Sequence, residues 1–194
     1  MAKRVVVLVS GSGTLLQAII DAVAEGRLDI DLVAVGSDRP DAHGLARARA
    51  AGVDTFVVEL AKGADRAAWD RELRDAVAAH DPDLVVGAGF LRIVGPAFLE
   101  RFGGRMINSH PALLPSFPGV HGVRDALAHG VKVSGTTIFW VDAGVDTGAI
   151  IAQHAVPVLP GDTEDDLTER IKEVERPLLV ATIADLTRTP ERNP

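Results

Sequence analysis

Apolar and polar residues alternate in blocks along the first half of the chain, and each block has the length of a strand or a helix. Residues 5–9 are a continuous run of Val and Leu, which is typical of a strand buried on both faces. Apolar residues at helical spacing follow over 15–23, and Gly26 ends that pattern. The alternation recurs, with strands predicted at 32–36, 55–58 and 84–86 and helices at 42–51 and 65–80. It predicts a parallel sheet with helices on both faces.

The pattern changes in the second half of the chain. A very short apolar run at 106–107 is followed by a Pro-rich loop over 110–119 and a short helix over 122–129. Two longer apolar stretches, 131–141 and 149–158, are predicted to pair as antiparallel strands.

The last predicted helix begins at residue 162 or 163, reaches about residue 186 and is kinked by Pro177. A chain of 194 residues suffices for one hydrophobic core, and no linker or repeat divides it. We therefore expect an α/β fold with a mostly parallel sheet, a Rossmann-like N-terminal half and an antiparallel addition in the C-terminal half. The predicted organisation is a single domain over 1–194, with a nucleotide- or phosphate-binding half over about 1–100, a catalytic half over about 101–187 and a tail at 188–194.

Composition narrows the classes of function. Hydrophobic residues make up 47% of the chain, and the net charge of −7 comes from acidic and basic residues that are mixed along it. That mixture argues against binding nucleic acid or a membrane surface. Cysteine is absent, which excludes disulfides, thiolate catalysis and Cys-ligated metals. The first apolar run is too short for a signal peptide or a membrane span, so we expect a cytoplasmic protein.

Small residues fill the turn between the first strand and the first helix. Gly11, Ser12 and Gly13 let a phosphate approach the backbone N–H groups, and the helix N-terminus favours its negative charge. Leu16 stands where a dinucleotide fingerprint has its third glycine, and the turn lacks a P-loop Lys. A plain strand-to-helix turn is the alternative. Asp38 follows the second strand, where an acid that binds ribose would lie, so a nicotinamide cofactor stays open.

A second candidate site follows the fourth predicted strand. Gly87 and Gly89 permit close approach to the backbone, and Arg92 adds a cation. The apolar slot would be lined by Phe90, Leu91, Ile93 and Val94. An aromatic heterocycle with an acidic tail fits such a slot. The alternative is a turn of the core with a surface Arg.

The third candidate combines Asn108 and His110, predicted in one loop, with Asp146 in another. An imidazole can move a proton near neutral pH, a carboxylate can orient it, and an amide can donate to a carbonyl oxygen that becomes negative. These side chains include no nucleophile, which indicates acyl transfer to an amine that brings its own lone pair. A structural His is one alternative. A metal site of His110, His121 and Asp146 is another, although no metal-binding spacing supports it.

Several of these segments resemble a known family. The chain resembles the folate-dependent formyltransferase family in three segments, Asn108–Pro115, Gly135–Thr137 and Asp142–Gly148. Formyltetrahydrofolate deformylase and methionyl-tRNA formyltransferase share these motifs. The turn at 10–13 and the segment Ala88–Arg92 narrow the resemblance to the glycinamide ribonucleotide formyltransferases, over almost the whole chain. The length agrees, since the deformylase carries an extra N-terminal domain and the tRNA enzyme an extra C-terminal barrel.

The resemblance implies an enzyme of purine synthesis that moves the formyl group of 10-formyltetrahydrofolate, a co-substrate, to the amine of glycinamide ribonucleotide, without a metal. The family's catalytic residues match Asn108, His110 and Asp146. Its ribonucleotide contacts match Gly11, Ser12, Gly13, Thr14, Leu15, Lys172, Glu173, Val174 and Glu175. Its folate contacts match Arg66, Leu91, Arg92, Ile93, Val94, Asn108, Asp142, Ala143, Gly144, Val145 and Asp146.

Two positions depart from the family pattern. Leu15 stands where many members have Asn, so contact with phosphate must come from backbone N–H groups or from Ser12 and Thr14. Phe139 stands where many members have His. The alternatives at this point are a folate-dependent formyl hydrolase, a formyltransferase with another amine acceptor, a nicotinamide oxidoreductase and a non-catalytic nucleotide-binding module. A monomer and a homodimer both stay open.

Overall fold

A seven-stranded sheet runs through the computed structural model, which describes residues 2–188. The strands are Lys3–Val9 (β1), Ile30–Ser37 (β2), Asp54–Val57 (β3), Leu84–Gly87 (β4), Met106–His110 (β5), Val133–Trp140 (β6) and Ile150–Pro157 (β7). The helices are Thr14–Ala24 (α1), His43–Ala50 (α2), Arg66–Ala78 (α3), Pro96–Phe102 (α4), Gly122–His129 (α5) and Glu164–Thr187 (α6).

The strand order across the sheet is β3-β2-β1-β4-β5-β6-β7. β1 to β5 run parallel, β6 is antiparallel to β5, and β7 is antiparallel to β6. This arrangement confirms the predicted fold class, including the antiparallel pair at the C-terminal side. The chain order reverses between β1 and β4, and open α/β sheets bind ligands in the crevice at the carboxyl ends of such strands.

Helices cover both faces of the sheet because β1 is apolar on both sides. Val5, Val7 and Val9 join the hydrophobic core beneath α1, α2 and α6. Val6 and Leu8 join a second core beneath α3 and α4. One continuous run of Val and Leu thus serves two layers, as expected of a parallel strand between helices.

The sequence pattern does not predict α4, which has only seven residues. Its N-cap residue, Gly95, has no side chain to accept from the first backbone N–H groups. Asp70 of α3 takes that role, since its carboxylate accepts from Gly95 N at 2.5 Å and from Phe98 N at 3.0 Å. The cap of α4 therefore comes from a distant residue, which local reading of the sequence cannot detect.

β5 extends further than its apolar residues indicate. The prediction that Asn108 and His110 lie in a loop is wrong, because both residues lie in β5. Pairing with β6 extends the strand, with Asn108 opposite Phe139 and His110 opposite Thr137. Polar residues at a strand end resemble a loop in sequence, whereas antiparallel pairing with a distant segment keeps them extended.

α6 begins as predicted and continues through Pro177. Thr163 is its N-cap and forms a capping box with Asp166. The kink at Pro177 stays a prediction, and from residue 189 onwards the predicted tail lies outside the described residues. None of the helices within 2–188 combines the length and the apolar character needed to cross a membrane.

Candidate active site

A cavity of about 430 Å³ lies at the carboxyl ends of β1, β4 and β5. Three groups of predicted site residues line it: the turn after β1, the segment after β4, and the polar end of β5. The loop between β6 and β7 and one face of α6 complete its wall. The fold therefore brings segments from both halves of the chain to one cavity.

His110 is buried in this wall, with 4% of its surface exposed. Its Nδ1 lies 3.4 Å from Oδ2 of Asp146, and its Nε2 lies 2.7 Å from the carbonyl oxygen of Phe117. A carbonyl oxygen only accepts, so Nε2 carries a proton that it donates to Phe117. The carboxylate of Asp146 and the Phe117 carbonyl thus hold the imidazole ring from both of its nitrogens.

Asp146 connects two loops of the cavity wall. Its backbone has a φ of 55°, in the left-handed region that an Asp tolerates better than most residues. Its Oδ2 accepts from the backbone N–H of Gly119 at 2.7 Å as well as facing His110. The carboxylate therefore orients the imidazole and also holds the Pro-rich loop that follows β5.

Asn108 shares a face of β5 with His110, because side chains two residues apart point to the same side of a strand. Its Oδ1 is buried and has no hydrogen-bond partner in the described chain. Gly87, its neighbour in β4, has no room for a side chain because the Asn108 amide would contact it. Asn108 lines the cavity, so an amide dipole is available there beside the imidazole.

Gly11 to Leu15 all line the cavity at the N-terminus of α1. Gly13 has a φ of 70°, and a Cβ there would lie 2.6 Å from the Cα of Gly44. The backbone N–H groups over residues 11–15 find no acceptor within residues 2–188. Free N–H groups at a helix N-terminus are suited to an anion.

Leu91 to Val94 line the cavity after β4, and Leu91 and Ile93 keep 63% and 53% of their surfaces exposed. Arg92 is not a free cation, because its Nε lies 2.5 Å from Oδ2 of Asp38. Asp38 is buried and also accepts from the hydroxyl of Ser10 at 2.6 Å. The carboxylate considered for ribose therefore joins the turn after β1 to the segment after β4.

Arg66 lies outside the residues that line the cavity. Its guanidinium donates to the carbonyl oxygen of Ile93 at 2.6 Å and stacks over the ring of Trp69. It is exposed at the edge of the segment Leu91–Val94, where it supports the backbone of Ile93.

The predicted contacts on α6 divide by helical face. Lys172 and Glu175 line the cavity, whereas Glu173 is exposed and Val174 packs beside the small core under α5. Glu175 is buried, and its Oε1 accepts from the hydroxyl of Thr136 at 3.1 Å. Burial raises the pKa of Glu175, although hydrogen bonds from the hydroxyls of Thr136 and Ser109 oppose the shift.

The loop between β6 and β7 contributes Asp142, Gly144, Val145 and Asp146 to the cavity, but not Ala143. The carboxylate of Asp142 closes the loop, since it accepts from Gly144 N at 3.0 Å and from the Thr147 hydroxyl at 2.7 Å. The family motif therefore combines a loop-closing Asp with the Asp that faces His110.

Sequence reasoning missed several residues of the wall. The cavity is also lined by Thr168 and Ile171 of α6 and by Val120, which follows the Pro-rich loop. The Phe117 carbonyl holds His110. Thr168 and Ile171 lie four residues before Lys172 and Glu175, so their position on the same helical face could have indicated them. No side-chain signal could have indicated a backbone carbonyl.

Within residues 2–188 no three His, Asp or Glu side chains group closely enough for a metal, so the metal alternative has no support from geometry.

Comparisons with known proteins agree with this geometry. Residues 3–183 match the family model described as formyl transferase. A phosphoribosylglycinamide formyltransferase of Mycobacterium tuberculosis (strain CDC 1551 / Oshkosh) is 57% identical over 183 residues, which cover 94% of this chain and 84% of the relative. The enzyme of that name from Escherichia coli (strain K12) is 44% identical over 185 residues, with coverage of 94% and 87%.

A solved structure extends the likeness to three dimensions. Glycinamide ribonucleotide transformylase 1 from Symbiobacterium toebii superposes with a TM-score of 0.93 at 48% sequence identity, covering 96% of this chain and 88% of that one. The resemblance predicted from the loop motifs is thereby confirmed. Because the family match spans nearly all of the described residues, the chain belongs to the formyl transferase family.

Proposed function

We propose that this protein transfers the formyl group of 10-formyltetrahydrofolate to the amine of glycinamide ribonucleotide in purine synthesis. The names of its relatives support this acceptor. The observation that carries the proposal is the His110–Asp146 pair, 3.4 Å apart, beside Asn108 in a cavity of about 430 Å³. Without a nucleophilic side chain among these three, the acceptor amine itself must attack.

The cavity offers chemically different ends to the two substrates. The free N–H groups of residues 11–15 suit the phosphate of the ribonucleotide, and Glu175 suits the sugar hydroxyls nearby. The exposed apolar side chains of Leu91 and Ile93 suit the pterin, together with the loop at 142–146. Arg66, outside the cavity, suits the acidic tail of the folate.

The proposed reaction is direct attack of the amine on the formyl carbon. As the new C–N bond forms, the formyl oxygen becomes negative, and Asn108 and protonated His110 stabilise it. The ammonium loses its proton through a water held by Asp146, the folate nitrogen gains one, and the old C–N bond breaks as the carbonyl re-forms. An oxyanion donor is typically worth about 2.7–4 kcal/mol, and alignment of the two substrates adds several more.

The alternatives are a folate-dependent formyl hydrolase and a formyltransferase with another amine acceptor. Both would use the same His110–Asp146 pair, so the acceptor distinguishes them. The turn at 11–15 favours an acceptor that carries a phosphate. We also propose that the protein works in the cytoplasm, as a monomer or a homodimer, with no nucleic acid or membrane as partner.

A formyl-transfer assay with both substrates tests the proposal. Asn108→Ala and His110→Ala should each lower kcat about 100- to 1,000-fold, and Asp146→Asn should also be severe. His154→Ala and Asp185→Asn, at exposed positions outside the cavity, are matched controls and should retain wild-type turnover.

Two outcomes would contradict the proposal. Release of formate at the same rate with and without the ribonucleotide would indicate a hydrolase. Wild-type turnover in His110→Ala would remove the imidazole from the mechanism.

A further inference from the structure

α2 packs against the turn after β1, on the side away from the cavity. The backbone N–H of Gly44 donates to the carbonyl of Gly11 at 3.0 Å. The guanidinium of Arg47 donates through Nε to the carbonyl of Ser12 at 2.9 Å. No residue of α2 lines the cavity. Two successive carbonyls of the turn are therefore directed at α2.

The direction of these carbonyls fixes the direction of the neighbouring N–H groups. In a trans peptide the C=O of one residue and the N–H of the next point in opposite directions. The N–H groups of Ser12 and Gly13 consequently point away from α2, toward the cavity that both residues line. The left-handed φ of Gly13 curves the backbone into the concave shape that binds anions.

Arg47 is held in place from a second direction. Its NH1 donates to Oε1 of Gln17 in α1 at 2.9 Å, and Gln17 in turn donates to Asp21 at 2.8 Å. The guanidinium therefore bridges α1 and the turn with two hydrogen bonds in a fixed fork. The cations that do line the cavity are already paired, Arg92 with Asp38 and Lys172 with Glu169.

We infer that Arg47 is a positioning residue for the phosphate end of the ribonucleotide. It holds the Ser12 carbonyl so that the N–H of Gly13 is presented to a phosphate monoester before the substrate arrives. The inference rests on the proposed function, because it takes the turn as the phosphate subsite.

Steady-state kinetics on three variants of the full chain test this inference. Arg47→Met keeps the apolar stem and removes the fork, and Arg47→Lys keeps the charge but not the two-point geometry. Arg49→Met removes a cation from the same helix, whose Nε donates to Thr55, away from the turn. Each variant is assayed with the ribonucleotide, with its dephosphorylated counterpart, and with inorganic phosphate as inhibitor.

For Arg47→Met we expect the KM for the ribonucleotide to rise roughly tenfold, and inhibition by inorganic phosphate to weaken by a similar factor. We expect kcat and the KM for the formyl folate to change by less than about twofold, because the fork contacts only the turn and α1. The dephosphorylated acceptor should react equally well with the wild type and with Arg47→Met. Arg47→Lys should follow Arg47→Met, and Arg49→Met should follow the wild type.

The result that would overturn the inference is a KM for the ribonucleotide that is the same in Arg47→Met and Arg49→Met. Wild-type behaviour of Arg47→Lys would also overturn it, since charge alone would then suffice. Circular dichroism verifies folding, and Arg47→Lys carries the test if Arg47→Met does not fold. Failure of the wild type to formylate the ribonucleotide would contradict the proposed function instead.

Discussion

Glu175 is buried, whereas the other acidic residues of α6 are exposed. Its Oε1 lies 3.1 Å from the Thr136 hydroxyl oxygen, which is also 3.3 Å from the carbonyl oxygen of His110. The hydroxyl has one proton for these two acceptors, so the ionisation of Glu175 decides which of them receives it. The charges that act on Glu175 come from Lys172 and Arg176 of its own helix, while β5 and β6 present hydroxyls.

We expect Glu175→Gln to change stability in a pH-dependent way. Burial raises the pKa of Glu175, so the folded state keeps this proton at pH values where the unfolded chain has released it. The wild type therefore loses stability as the pH rises from the unfolded pKa through the folded pKa, whereas the variant has no carboxyl to ionise. The thermal midpoint of the variant, relative to the wild type, should increase as the pH rises above about 4.5.

Glu173→Gln is the matched control, because Glu173 is exposed two positions earlier on the same helix. Its midpoint relative to the wild type should not change with pH over that range. A difference for Glu175→Gln that falls as the pH rises would contradict the assignment of a raised pKa.

An ion pair joins the N-terminal end of α6 to the preceding turn and to the end of β7. Arg170 donates to the two carboxylate oxygens of Asp162 at 2.6 and 2.8 Å and to the carbonyl of Pro157 at 2.9 Å. Asp162 also accepts from the backbone N–H of Leu159 at 2.8 Å. One fork therefore connects the end of β7, the following turn and the first turns of α6.

Asp162→Asn should destabilise the protein at neutral pH and less in acid. The hydrogen bonds from Arg170 lower the pKa of Asp162 to about 2, below its value in the unfolded chain. A carboxyl of this kind stabilises the folded state above its unfolded pKa, and the contribution is lost as the pH falls toward the folded pKa. Urea unfolding midpoints at about pH 7 and about pH 3 measure the change.

Asp185→Asn, at the other end of α6, provides the comparison. Asp185 pairs with Arg188, and both side chains are about two-thirds exposed, so this substitution should have little effect at either pH. An equal loss for Asp162→Asn at both pH values would show that its ionised form is not what stabilises the turn.

At the scale of the whole molecule, we propose that the chain forms a single cooperative domain. β1 contributes alternate residues to the cores on both faces, and α6, from the end of the chain, packs against α1 near its beginning. Neither face can lose its packing while the other keeps an intact central strand. The two halves predicted from the sequence thus share one sheet.

The two Trp residues report the two faces separately. Trp69 is buried in the core under α3 and α4, and Trp140 packs beside the core under α1, α2 and α6. We expect fluorescence unfolding curves of Trp69→Phe and Trp140→Phe to coincide with circular dichroism in the same variant, since each remaining Trp senses the same transition. Separate midpoints in either variant would mean that the faces unfold independently.

Much of the fold could be predicted because its signals are local. The Val-rich run of β1 and the helical spacing of Leu15, Leu16 and Ile19 are patterns that neighbouring residues create. The helix predicted at 65–80 begins with Asp65, a residue type favoured at N-caps, and its carboxylate accepts from Ala67 N and Ala68 N. α4 and the strand conformation at the polar end of β5 were not predicted, because Asp70 and β6, which stabilise them, are distant in sequence.

The amino-acid sequence by itself determined the alternation of strands and helices, the polar groups at their ends and the family whose motifs they form. Only the tertiary structure decided which of those groups meet: His110 contacts Asp146 and the Phe117 carbonyl, whereas Arg92 is occupied by Asp38. The physical reason is that propensity and periodicity act over a few residues. Hydrogen bonds between loops depend on how the whole sheet orders its strands and directs each backbone carbonyl.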